Sequence, residues 1–112
     1  MESNIEVMYQ LYRLLSAFIS GNISAGYFCD EFTLINWRYR EKLDELEISE
    51  FNLSYSKELD VIFDKLCESC SRYNPHANEY EISHHYSISK EILEEAAKNA
   101  YDEINEKKLI IL

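Results

Sequence analysis

Residues 63–82 read FDKLCESCSRYNPHANEYEI, and the role given to Cys67 and Cys70 decides what kind of fold surrounds them. A Cys-x-x-Cys pair with His76 beyond it suits a metal knuckle, or else the closing turns of a helix that stops before Pro75. A structural zinc site needs a second Cys-x-x-Cys or a paired histidine motif, with a turn between the ligands. Here the pair sits inside an apolar pattern, Leu59, Ile62, Phe63, Leu66, Cys70 and Tyr73, whose spacing is that of a helix face. Redox-active pairs stand at a helix N-terminus, where the dipole lowers the thiol pKa; a pair near the C-terminus meets the opposite field. The thiols therefore read as small core hydrophobes, Cys29 among them, with no metal and no cofactor expected. Proline disfavours helical geometry in the residue ahead of it, so this helix is expected to stop at Tyr73 or Asn74, with Ser54 or Ser56 opening it.

The same period runs outward on both sides. Ser3 with Glu6 forms a capping-box signal, and Ile5, Met8, Tyr12, Leu15 and Ile19 follow at helical spacing. Gly21 and Asn22 stop that helix and Ser24 caps the next, which carries Phe28, Phe32, Ile35, Tyr39, Leu43 and Leu46. Residues 75–87 read as a loop. Ser89 then caps a last helix with Leu93, Ala96, Ala97, Ala100 and Ile104, on which Glu94 and Lys98 form a favourably ordered ion pair. The apolar tail KKLIIL, residues 107–112, either extends this helix or packs across the bundle. The expected fold is all-α: one domain over 1–112, an antiparallel four-helix bundle. No internal repeat or low-complexity segment interrupts it.

Composition agrees. A chain of 112 residues, 46% of them hydrophobic, can enclose one core. With only two glycines and one proline it lacks the turns of an all-β fold. No run approaches the roughly 18 apolar residues of a membrane helix. MESNIEVMYQ shows no secretory signal, and three cysteines are an odd count, so reduced thiols in the cytoplasm are expected. Neither His76, His84 nor His85 stands in a nucleophilic or phosphate-binding motif, and two glycines cannot build a Gly-rich loop. Catalysis is not expected.

Charge points to a partner. Twenty-one acids against eleven bases give −10, which disfavours nucleic acid and anionic membrane and favours basic proteins. Asp60, Asp64 and Glu68 recur every four residues and share one helix face, an arrangement in which like charges repel, with Lys57 and Lys65 close by. Glu79, Tyr80 and Glu81 follow the helix end, and Tyr73 stands between the two groups. Acids set around tyrosine anchors suit a cationic protein surface. A second acidic region, EKLDELEISE at 41–50, contains Asp44, Glu45, Glu47 and Glu50.

The run from Phe63 to Ile82, followed by ISKEILEEAAKNAYDEI, resembles the colicin D immunity protein family: an apolar helix ending in an aromatic, x-Pro, an acidic loop with Tyr-Glu-Ile, and a final helix. Upstream, LLSAFISGNISAGYFCDEF is similar to its paired opening helices, so the likeness spans roughly residues 10 to 106. It implies a helical bundle, not an enzyme, that plugs the cleft of a basic toxin nuclease, often one that cuts tRNA, with acids where phosphates would lie. Tyr73, Pro75, Tyr80, Glu81 and Ile82 match that pattern. His76 and Ser71 stand where the family carries acids, so negative charge falls to Asp64, Glu68, Glu79 and Glu81 instead. The segment between the second and third helices is longer than in the family, which makes Asp44, Glu45, Glu47 and Glu50 a second contact region. A chain monomeric alone and 1:1 with its toxin is expected. The competing reading is a helical regulatory or dimerising module, with Tyr9, Tyr27, Trp37 and Tyr101 supplying the extra apolar stripe.

Overall fold

In the computed structural model of the protein, the described residues are 4–45, 53–84 and 87–110, with side chains described over 7–38, 57–84 and 87–110. Among these residues five helices form: α1 (Asn4–Ile19), α2 (Ala25–Glu45), α3 (Leu53–Arg72), α4 (Glu79–Ser83) and α5 (Lys90–Glu106). Gly21 ends α1 in a left-handed conformation, φ 78°. Its N–H donates to Phe18 O and that of Asn22 to Ala17 O, the two bonds that close a helix at a left-handed residue. Ser24 then opens α2, its hydroxyl oxygen accepting from Tyr27 N–H at 3.1 Å. Ser89 opens α5 the same way, accepting from Ile92 N–H. Ser3, the expected cap of α1, lies outside the described residues.

Four phenylalanines mark how the long helices run. Phe18 near the end of α1 stacks on Phe28 near the start of α2 at 4.5 Å, Phe28 leans on Phe32, and Phe32 meets Phe63 of α3 edge-on at 5.7 Å. Tyr12 of α1 stacks on Tyr101 of α5 at 5.4 Å and donates to Asn105 Oδ1 at 2.7 Å. Each long helix therefore packs on two neighbours in the ring α1–α2–α3–α5, an antiparallel four-helix bundle of 47 × 25 × 24 Å. Val7, Leu11, Leu15, Phe28, Phe32, Leu59, Phe63, Leu93, Ala97 and Ile104 fill its centre with 1% exposure or less. Burying a valine, leucine, isoleucine or phenylalanine side chain contributes roughly 1.5–3 kcal/mol.

The expected core positions Met8, Tyr12, Leu15, Ile62, Leu66 and Cys70 are buried, whereas Ile19, Ile35, Tyr73 and Ala96 pack only partly. The side chains of Ile5, Tyr39 and Leu43, and all of Leu46, lie outside the described residues. Several local expectations change. Ser54 and Ser56 do not open α3, because Leu53 is already helical; serine costs only about 0.5 kcal/mol inside a helix and so marks no start by itself. Helix α3 stops at Arg72, one residue early, although Tyr73 N–H still bonds Ser69 O at 3.1 Å.

The 75–87 loop holds a helical turn, α4, because the Asn78 side chain accepts from Glu81 N–H at 2.8 Å. Residues 107–110 of the tail pack back: Lys108 turns left-handed at φ 52°, Leu109 N–H bonds Ile104 O, and Leu109 and Ile110 join the core. Glu94 pairs with Lys90 at 3.6 Å rather than with Lys98, since it stands one turn from both. No described helix is long and apolar enough to cross a membrane.

Candidate functional site

Residues 73–84 and 87–88, between α3 and α5, form a strap at one end of the bundle. Its ends are tied by a parallel bridge between Tyr73 and Ile88, with Ile88 N–H donating to Arg72 O at 2.9 Å and Asn74 N–H to Ile88 O at 3.4 Å. Within it Asn74 Oδ1 accepts from His76 N–H at 2.9 Å. Ser87 is buried and donates from its backbone N–H to Glu81 O and from its hydroxyl to the Glu81 carboxylate, at 3.3 and 3.4 Å. These bonds hold α4 outward. Tyr80 is 61% exposed and its ring lies 4.1 Å from that of His84, whose Nδ1 stands 2.9 Å from the Tyr80 carbonyl oxygen. Glu79, beside it, is exposed.

The strap separates the roles expected of its residues. Tyr80 and Glu79 face solvent. Tyr73 is half-buried against the core, so its ring serves the bundle first. Glu81 is half-buried, one carboxylate oxygen taken by Ser87.

On α3, Asp64 and Glu68 are exposed, as their shared face requires. Asp60 stands at the edge of that face, half-buried, with Oδ1 shielded from water. Glu68 accepts from Arg72 at 2.8 Å. Arg72 stands four residues on in the sequence, the i, i+4 spacing that favours such a pair. Over 53–72 four acids face three bases, so this helix is close to balanced.

Among the described helices, α5 carries the most acids. Over 90–106 six acids meet two bases. Lys90 engages Glu94 and Lys107 engages Glu103. Glu91, Glu95, Asp102 and Glu106 are exposed and fall within about 60° of helix arc, with Lys98 about 20° beyond its edge. That spacing was readable from the sequence. Of the second expected contact region, Asp44 and Glu45 lie in the last turn of α2 with side chains outside the described residues, and Glu47 and Glu50 lie outside them altogether.

The cysteines meet in an unforeseen way. Cys29 on α2 and Cys70 on α3 are both buried and hydrogen-bond to each other through their thiols. That bond holds the Cys29 thiol below its ordinary pKa, while the bond and then burial push Cys70 far above. Cys67 is half-buried instead and lines a shallow recess of about 490 Å³ with Val61, Asp64, Lys65 and Glu68. Among the described residues no group of three His, Cys, Asp or Glu side chains is placed to hold a metal ion.

Of the aromatics weighed for self-association, Tyr9 and Tyr101 are half-buried, Tyr101 against Tyr12. Tyr27 and Trp37 are exposed. No protein-family model, curated protein or solved structure matches the chain.

Proposed function

We propose that the chain is an immunity protein that binds a basic toxin nuclease and blocks its substrate cleft. The observation that carries the reading is Tyr80, a large ring held out on a strap fixed at both ends, with Glu79 beside it. Binding energy concentrates in such aromatic anchors, and their prior ordering lowers the cost of docking. The overall charge of −10 steers a cationic domain toward them, and carboxylates at Glu68, Glu79 and Glu81 stand in for phosphates before its lysines and arginines. The resemblance of residues 63–82 to the colicin D immunity family supports the same reading, with a tRNA-cleaving ribonuclease as the favoured target. The complex is expected to be cytoplasmic and to need no cofactor.

The test is co-expression with the C-terminal domain of the protein encoded directly upstream, where the proposal places the toxin, followed by co-purification and a cell-protection assay. A complex and protection are expected, with Tyr80→Ala raising the dissociation rate by about tenfold or more, since anchors act mainly on release. Absence of both complex and protection overturns the proposal.

A further inference from the structure

Six large hydrophobic side chains are exposed among the described residues, and three of them, Tyr27 (53%), Leu34 (44%) and Trp37 (60%), lie on α2. At about 100° per residue, Tyr27, Asp30, Leu34, Trp37 and Arg38 occupy roughly 100° of one helix face. Asp30 and Arg38 are both exposed. The opposite side of α2 is already engaged, through Phe28 and Phe32 against Phe18 and Phe63. This outer stripe therefore has the make-up of an interface centre: an aromatic pair, an arginine and an aliphatic residue, with charge at the edges.

The order of residues selects the occupant. Asp30 and Arg38 stand four positions before and after Leu34, and Glu31 and Trp37 stand three before and after it. In an antiparallel pairing of two identical helices with the twofold axis at Leu34, residue 34 + n meets residue 34 − n of the other copy, and every contact occurs twice. Leu34 then packs on Leu34, Asp30 meets Arg38 at both ends, and the indole N–H of Trp37, a donor only, meets the Glu31 carboxylate. A basic partner explains the acids but leaves Arg38 opposed to like charge. A second copy satisfies both signs.

We propose that the outer face of α2 pairs with the same face of a second copy of this chain about a twofold axis at Leu34. The strap and the outer faces of α3 and α5 stay open in that pair, so the inference does not rest on the toxin reading. A single helix pair lies at the small end of interface sizes, under about 1,200 Å² in total, so the dimer is weak. Each copy also carries −10, a long-range repulsion that salt screens within about 8 Å at physiological strength, while charges in contact are screened less. Association therefore tightens as salt rises, opposite to the docking of a basic protein.

Sedimentation equilibrium of the purified chain tests this. A reversible dimer is expected, strengthening between about 0.02 and 0.5 M salt. Asp30→Arg should weaken it by about tenfold, even though that change lowers the net charge. Asp30→Arg with Arg38→Asp restores the pairs at unchanged net charge and should recover the dimer. Leu34→Cys in a Cys67→Ser background should form a covalent dimer with oxidised glutathione, because only a residue on the axis meets itself. Tyr27→Cys in the same background should not. These positions are solvent-facing, and circular dichroism checks that each variant stays folded. A chain that remains monomeric to about 1 mM, far above the range of specific interfaces, overturns the proposal. So does a dimer indifferent to Asp30→Arg, or capture of a basic protein by this face without self-association.

Discussion

Cys29, Cys67 and Cys70 set acidity against access. The hydrogen bond from Cys70 favours thiolate at Cys29, and a thiolate is the reactive form. Cys29 is only 8% exposed, however, so an alkylating reagent cannot reach its sulfur without opening α2 from α3. Cys67 lines an open recess. Access should win: iodoacetamide under native conditions is expected to modify Cys67 alone, with Cys29 and Cys70 reacting only once denaturant opens the bundle, as peptide mapping would show. Labelling of Cys29 first would mean that α2 and α3 separate readily. Cys70→Asp is expected to cost roughly 3 kcal/mol or more, since it sets a carboxylate beside a buried thiol in the core. A denaturation midpoint unchanged from wild type would contradict that placement. The sequence made Cys70 a core residue because it lies on an apolar stripe. It could not join Cys70 to Cys29, because that contact depends on how two helices meet in space.

At the scale of the element, the two glycines stand in opposite situations. Gly21 holds φ 78°, while Gly26 lies in the first turn of α2, and a Cβ at either position meets no atom within 4 Å. Only backbone preference then separates them. Gly21→Ala forces an L-residue into the left-handed region and should destabilise by about 1 kcal/mol, whereas Gly26→Ala should stabilise by about 0.5 kcal/mol. Lys108 is the counterpart of Gly21 at the end of α5, left-handed without being glycine, so Lys108→Gly should gain several tenths of a kcal/mol. Thermal melts of the three variants give the signs directly.

Helix ends were the most legible part of the sequence, because Gly21, Ser24 and Ser89 act on backbone groups a few residues away. Asn78 with Glu81 three residues on is the same kind of signal, within a stretch whose turn residues otherwise suit a loop. The end of α5 was harder. Lys108 carries no left-handed preference, and its turn is fixed by Leu109 and Ile110 reaching the core.

For the whole molecule, the question is where −10 charges do their work. Spacing made Asp60, Asp64 and Glu68 a coherent acidic face, but pairing with Arg72 and the partial burial of Asp60 leave that face nearly balanced; the first is readable from the i, i+4 spacing, the second only from the fold. Net charge attracts a basic toxin from any side, while docking depends on charge near the contact. Two double reversals separate these effects. Glu68→Lys with Glu79→Lys changes the strap end of the bundle. Asp102→Lys with Glu106→Lys changes the far end of α5, about 20 Å or more along the axis from Ile88 at 1.5 Å per residue. Each reversal adds two charges per site, so both variants move from −10 to −6.

At low salt, stopped-flow association with the proposed toxin domain should slow comparably for both variants, because the long-range field is the same. At physiological ionic strength charges are screened beyond about 8 Å. The Asp102/Glu106 variant should then approach the wild-type rate, while the Glu68/Glu79 variant stays slow. The reverse ranking would move the docking site to the acidic run of α5 and leave Tyr80 a surface residue of no consequence for binding.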